Sequence, residues 1–536
     1  MEEHDEGTPL YPGTWARERP DHPAQILAET GAVLTYRELD ERSNQHAQLF
    51  RRLGLERGGH VALFMENHPR YLELVWAALR AGLYYTPINC LLTAEEAAYV
   101  VEDSDAQVLV ASTRLAPVAD ALREHIPATV SCLMAQSSGA DVDPPTGWTA
   151  LEAATDGLST SPLPDESEGT SLWYSSGTTG RPKGVLRPLP EGVMGRGDPV
   201  ALSFSRHWGF DGRTVQLSLG PLYHAAPIGY ATNVQRFGGT VVLTERFDPE
   251  DTLRAIERYR ITFAHFVPTM FTRLLKLPET TRRKYDLSSL EKVVHGAAPC
   301  PVEVKKRMME WWGPIIHEYY AGTEGAGMTM ITPEEWLERP GSVGQSKRGI
   351  IHIVDDDGKE LAPGEDGTVY FEDPNVRNVY YKDPAETAAL QDVHGWRTLG
   401  DVGHVDDDGY LYLTDRWTFK IVSGGVNIFP REAEDILVLH PEVLDAAVIG
   451  VPHDEMGEEV KGVVQLVDPE RASPELEHEL VEFCRHHLAH FKCPRSIDFI
   501  GHLPRQENGK LYKKVLRDRY WGAVGPADAR LASRLS

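Results

Sequence analysis

The sequence predicts an α/β protein: a large amino-terminal part made of two α/β sheet subdomains plus a β-barrel-like subdomain, then a small α+β carboxyl-terminal domain. Three observations predict it. Apolar strand-like runs alternate with helical periodicity from about residue 61 to 112 and again between 200 and 330, the pattern of parallel sheets covered by helices. Between 340 and 416 the texture changes to short strands and tight turns, which suits an antiparallel or barrel-like sheet. The segment after Arg416, about 120 residues, has strands and an amphipathic helix of its own and is long enough to fold as a unit. The expected division is therefore 1–415 and 416–536, with the boundary at Asp415 to Thr418.

Taken in order, VALFM (61 to 65) suits a buried strand, and YLELVWAALRAG (71 to 82) repeats apolar residues at helical spacing and stops at glycine. A helix over 94 to 103 precedes the strand QVLVAS (107 to 112). Residues 133 to 170, rich in Ser, Asp, Pro and Gly, read as a surface loop. TVQLSLG, TVVLTE, ITFAHFVP and KVVHGAAP are strand candidates, with PEDTLRAIERYR among the intervening helices. GTVYFED and DDDGYLYLTDR carry the antiparallel texture, and the two DDDG stretches (355 to 358 and 406 to 409) read as hairpin tips, since neither has the spaced ligands of a calcium loop. In the last segment, AAVIGVP and KGVVQLV are strands and PELEHELVEFCRHHL a helix.

Composition narrows the class. With 41% hydrophobic and 25% charged residues the chain is that of an ordinary soluble globular protein. A formal charge of -26 disfavours a nucleic-acid backbone or an anionic lipid surface as partner. No apolar run approaches spanning length, and the start MEEHDEGTPLYPG is acidic where a secretory signal would be basic and then apolar, so a cytoplasmic location is expected. Five cysteines without a CxxC pair indicate neither a disulfide framework nor a zinc ribbon. CRHHLAHFKC (484 to 493) gathers Cys484, His486, His487, His490 and Cys493, but its spacing fits no structural zinc class, and an amphipathic helix is the plainer expectation.

The chemistry centres on SSGTTGRPKGV, residues 175 to 185. Its glycines let a backbone approach an anion closely, while the hydroxyls of Ser175, Ser176, Thr178 and Thr179 and the charge of Lys183 supply donors. Gly184 follows Lys183 where a nucleoside-triphosphatase loop would place Ser or Thr. Four further stretches follow in order: VHGAAP (294 to 299), YYAGTEG (319 to 325), GWRTLGDVG (395 to 403) with DGYLYLTDR (408 to 416), and PRQENGKLYKK (504 to 514).

Together these stretches resemble the adenylate-forming superfamily of acyl-CoA synthetases, peptide-synthetase adenylation domains and beetle luciferases, with acyl-CoA synthetases the nearest. The resemblance runs from TYREL (35 to 39) to Lys510. It implies that Ser175, Ser176, Gly177, Thr178, Thr179, Gly180 and Lys183 hold the ATP phosphates, and that Glu324, with Thr178, holds Mg2+ beside Thr323. Gly296, Ala297 and Ala298 are implied along one adenine face and Tyr320 on the other, with Asp401 and Arg416 at the ribose. Lys510 would reach from the small, mobile domain to the substrate carboxylate and the α-phosphate. The implied reaction is attack of a carboxylate on the α-phosphorus, giving acyl-AMP and pyrophosphate, then transfer to CoA with release of AMP. The carboxylate is already ionised at neutral pH, so no general base is required.

In FKIVSGGVNIFP (419 to 430), Gly424 and Gly425 match the segment that lines the pantetheine path of CoA. Thr418 at the hinge and Phe419 after it replace the family's usual charged residues, and the Pro- and Gly-rich VLRPLPEGVMGRGDP replaces its usual Thr-His continuation. PLYHAAP (221 to 227) places His224 at the family's aromatic gate, without the aspartate that pairs a substrate ammonium in amino-acid-activating relatives. That favours a fatty, aryl or bulky polycyclic acid. AHFVPTM (264 to 270) reads either as another wall of the acyl site or as a buried strand. Transfer to a carrier-protein thiol, oxidation of the adenylate, and a nucleotide-binding protein with a dead site stand as alternatives, and a homodimer would suit the family.

Overall fold

A computed structural model describes residues 8–137, 143–175, 182–196, 199–355, 357–416, 419–423, 426–453, 455–505 and 509–521. They divide into two compact units. The first comprises Met1–His265, Tyr285–Glu291 and Arg377–Ala389; the second comprises Phe266–Lys284, Lys292–Val376 and Leu390–Ser536.

Local signals set the helices of the first unit. Thr35 and Glu38 form a reciprocal capping box at the start of helix Tyr36–Arg52, and Thr93 and Glu96 do the same for Ala94–Asp103. Each box satisfies two backbone donors that the first turn leaves open. Helix Tyr71–Arg80 ends just before Gly82, whose φ is +68°. The strands His60–Phe64, Tyr84–Ile88 and Val108–Ser112 are buried along their whole length, as expected of central parallel strands with both faces covered.

Eight strands make one sheet, in the order Val379–Tyr380, Lys183–Leu186, Thr170–Ser175, Tyr84–Ile88, His60–Phe64, Val108–Ser112, Ser131–Ala135 and Thr149–Ala150. The last six run parallel, and the first two pair antiparallel. A second sheet region of this unit joins Val215–Ser218, Thr240–Leu243 and Pro23–Leu27 in parallel. The two α/β sheets expected from the alternation are thus present. Residues 133 to 170 are not a plain loop, however. They contain the end of strand Ser131–Ala135, strand Thr149–Ala150 and helix Leu151–Thr155. Trp148 and Leu151 are buried, 6% and 0% exposed, and those two apolar side chains in a polar stretch pull it onto the core.

In the second unit, Lys292–His295 and Ile316–Ala321 are parallel, and the strands from Met328 to Arg416 are antiparallel, as the turn-rich texture predicts. The tip at Asp406–Gly409 is a hairpin turn in which the Asp406 carboxylate accepts from the Asp408 and Tyr410 amides. The last part of the unit forms a five-stranded sheet of Val426–Ile428, Ile421–Ser423, Gly457–Leu466, Val443–His453 and Ser496–Phe499. Helix Pro474–His487 packs Leu480, Val481 and Cys484 into its core with Cys493. His486 and His487 turn back to the carbonyls of Glu482 and Phe483 on their own helix. Among the described residues, no helix is long and apolar enough to cross a membrane.

Candidate functional site

The second unit holds Gly296, Ala297, Ala298, Tyr320, Glu324, Asp401 and Lys510. Strand Lys292–His295 runs into Gly296, Ala297 and Ala298, and its parallel neighbour Ile316–Ala321 runs into Gly322, Thr323 and Glu324. Both motifs therefore leave the same end of adjacent parallel strands, where α/β proteins bind ligands. Tyr320 donates a 2.6 Å hydrogen bond from its hydroxyl to Asp401, 81 residues away in sequence. Asp401 is only 8% exposed and faces Arg416 in register on the next antiparallel strand. The ring of Tyr320 leans on Phe371, 6.2 Å between centroids.

Three backbone positions shape these strand-end loops. Ala297 has φ +67°, the left-handed region that costs a residue with a Cβ about 1 kcal/mol or more. At Gly296 an added Cβ would lie 2.7 Å from the Tyr319 ring, and at Gly322 it would lie 2.4 Å from Leu399 and 3.2 Å from the Glu324 carboxylate. Only glycine at 322 leaves that carboxylate uncrowded. A carboxylate oxygen fits Mg2+, a hard cation.

Lys510 follows Gly509, whose φ is +80°. A Cβ at 509 would meet Val267 and Thr269 at about 3 Å, and the Gly509 carbonyl accepts from Arg505 at 2.7 Å. Arg505 is in turn clamped by Asp445, so the Gly509 backbone next to Lys510 is tied to that ion pair.

The first unit holds the other residues. Lys183 opens strand Lys183–Leu186 and pairs with Glu386 at 2.7 Å. His224 is the N-cap residue of helix Ala225–Arg236, and its ring lies 4.6 Å from that of Tyr223. Its Nε2 is buried and has no hydrogen-bond partner among the described residues, and burial pushes its pKa down to about 4. Behind it, Tyr230 stacks on His265 at 5.0 Å and meets Phe263 at 5.3 Å. Strand Phe263–Phe266 is buried throughout and helix Pro268–Leu275 starts just after it, so the AHFVPTM stretch is the end of a buried strand and the first turn of a helix.

The His224 shift sets a pH prediction. The folded state holds a neutral imidazole and the unfolded state an ordinary one, so the unfolded chain binds more protons between about pH 6.5 and 4. Stability from this group is complete above pH 6.5 and falls as pH drops through 4, by at most about 3 kcal/mol at 1.36 kcal/mol per unit. His224→Gln should flatten that part of a denaturant-midpoint profile.

Of the residues expected from sequence, Ser176, Gly177, Thr178, Thr179, Gly180, Thr418, Gly424 and Gly425 lie outside the described residues. Ser175 ends strand Thr170–Ser175 and Arg416 ends strand Leu411–Arg416. Phe419 packs on the Lys513 ammonium at 5.1 Å. Four features had not been singled out from sequence: Gly322, Phe371, Glu386, and a buried charge cluster beneath the Gly296 and Tyr320 motifs. In that cluster Lys305 donates to Glu318 at 2.7 Å, and His295 lies 3.3 Å from the same carboxylate. Burial alone would raise the Glu318 pKa, but Lys305 and His295 outweigh it and hold it down at about 2.

The fold is that of an α/β protein whose two motif-bearing loops leave the same end of adjacent parallel strands. Against known families, residues 13–381 match the AMP-binding enzyme family and residues 432–510 its AMP-binding enzyme C-terminal domain. The chain belongs to the AMP-binding enzyme family. It is 34% identical to a feruloyl-CoA synthase of Amycolatopsis sp over 95% of this chain and 99% of that protein. It is 31% identical to the fatty acid–[acyl-carrier-protein] ligase ScoC of Streptomyces coeruleorubidus, over 95% of each. Among solved structures, ATP-bound MatB from Rhodopseudomonas palustris superimposes with a TM-score of 0.77 at 28% identity, over 95% of this chain and 99% of that one.

Proposed function

We propose that the protein is an ATP-dependent acyl-CoA synthetase that converts a carboxylic acid to acyl-AMP and pyrophosphate, then transfers the acyl group to CoA and releases AMP. The observation that carries this reading is the 2.6 Å hydrogen bond from Tyr320 to Asp401. It ties together two motifs, YYAGTEG and GWRTLGDVG, that lie far apart in sequence. Tyr320 and the Gly296–Ala298 turn would flank the base, and Asp401 with Arg416 would accept and orient the ribose hydroxyls.

Mg2+ held at Glu324, beside Thr323, would neutralise charge on the phosphates. Lys183 and the hydroxyls of the 175–180 loop would grip the β- and γ-phosphates, which depart as pyrophosphate. Lys510 would contact the substrate carboxylate and the α-phosphate, so that the acid attacks in line with much of the barrier met by positioning. Residues 416–536 would then rotate and present Gly424 and Gly425 to the pantetheine arm, giving way at Thr418.

The acid is aryl, fatty or polycyclic rather than an amino acid. His224 is neutral at pH 7, and Tyr223, Ala225, Ala226 and Ile228 around it supply no carboxylate for an ammonium group. The feruloyl-CoA synthase relative supports an aryl acid. A carrier-protein thiol as acceptor is the second reading, favoured by the likeness to ScoC.

The test is a panel of aryl, fatty and polycyclic acids with ATP and CoA, followed by detection of AMP, ADP and thioester. AMP with acyl-CoA is expected for at least one acid. Acyl-AMP that forms without any CoA thioester would move the assignment to the carrier-protein reading, and ADP as product would overturn adenylation.

A further inference from the structure

Lys183 is not left to solvent in this structure. Its ammonium is paired with the Glu386 carboxylate at 2.7 Å, is 14% exposed, and lies 5.6 Å from the centroid of the Tyr380 ring. Glu386 and Tyr380 come from the segment Arg377–Ala389, which belongs to the first unit although the chain on both sides of it belongs to the second.

The attachment of this strap to the Lys183 strand is built, not incidental. Val379 and Tyr380 pair antiparallel with Leu186 and Val185, and the Tyr381 amide donates to the Gly184 carbonyl at 2.7 Å. A second anchor lies beyond that strand. Asp105 receives the Tyr381 hydroxyl and the Lys382 ammonium, each at 2.7 Å, and Lys382 also reaches the Asp103 carbonyl at 2.8 Å. Asp105 and Lys382 have φ of +53° and +58°, so two residues with side chains hold left-handed backbone at the two ends of one ion pair. Strain of that kind persists only where the surroundings over-determine it.

A carboxylate in this place has a physical consequence. A lysine that grips phosphate cannot keep an anion at 2.7 Å and also accept a second, more highly charged one without mutual repulsion of the two anions. We infer that Glu386 is the resting counter-ion of Lys183, a positioning residue that holds the flexible lysine stem over Tyr380 and is displaced when phosphates bind. Glu386 therefore competes with pyrophosphate for Lys183, which weakens the hold on the leaving group and favours its release. The inference rests on the assignment of Lys183 to the phosphates made above.

The test is calorimetric titration of the full-length protein with inorganic pyrophosphate and, separately, with ATP, each in the presence of Mg2+ and without any acid. Compared with wild type, Glu386→Gln should bind pyrophosphate about two- to fivefold more tightly, the range of a partly exposed ion pair, and the gain should shrink as salt is raised. In a Lys183→Ala background the same replacement should yield less. A merely structural Glu386 would not produce a gain, because loosening the strap can only weaken binding. Unchanged or weaker pyrophosphate binding by Glu386→Gln, or a gain that persists undiminished without Lys183, overturns the inference. Failure of wild type to bind either ligand would sink the nucleotide reading itself and this inference with it; wild-type binding with no Glu386 effect would sink this inference alone.

Discussion

Lys510→Ala should lower acid-dependent exchange of pyrophosphate into ATP by about a hundredfold to a thousandfold, the cost of removing one preorganised donor from a charge that builds up in the transition state. The same variant should convert supplied acyl-AMP and CoA to thioester at close to the wild-type rate, because Lys510 is assigned to the first half-reaction only. The two half-reactions are measured separately, by exchange and by single-turnover thioester formation. Equal loss of both would show that Lys510 has been given the wrong role. The Gly509 backbone should survive the substitution, since it is held by its own left-handed conformation and by the Arg505 and Asp445 clamp.

Lys305→Met should destabilise the second unit by about 3–5 kcal/mol, because it strands the Glu318 carboxylate in the core without its ammonium partner. Lys305 is 0% exposed and Glu318 6%, so solvent cannot take the partner's place. The double replacement Lys305→Met with Glu318→Gln should recover most of the loss, since a neutral amide needs only hydrogen bonds. Denaturant midpoints at unchanged slope measure both, and a single-variant shift worth under about 1 kcal/mol would show that the pair is not the keystone its burial implies.

The position of Lys305 shows what local reading can and cannot find. It lies three and four residues before the buried Met308 and Met309, on the apolar stripe of helix Val302–Trp312, whereas Lys306 points outward. That phase was a usable signal that one of two adjacent lysines is buried. Its partner was not legible, because Glu318 belongs to a strand whose alignment with that helix is a matter of packing. Glu386 is a similar case: an acidic residue in KDPAETAAL has no local mark that ties it to a lysine about 200 residues earlier.

Much else was written locally. The capping boxes at Thr35 and Thr93 and the helix over 94 to 103 follow from side chains that satisfy nearby backbone groups. Where a tract was polar on average but carried Trp148 and Leu151, composition misled, since two large apolar side chains were enough to seat it on the core.

By itself the sequence determined the α/β class and the order of the motifs, and it proposed Lys183, Glu324, Asp401 and Lys510 as site residues, because each of these readings depends on residue type at short spacing. Tertiary structure alone decided that Tyr320 donates to Asp401, that Lys183 is paired with Glu386, and that Lys305 neutralises Glu318. These are contacts between residues far apart along the chain, and their partners are chosen by strand register and packing, which no short stretch of sequence encodes.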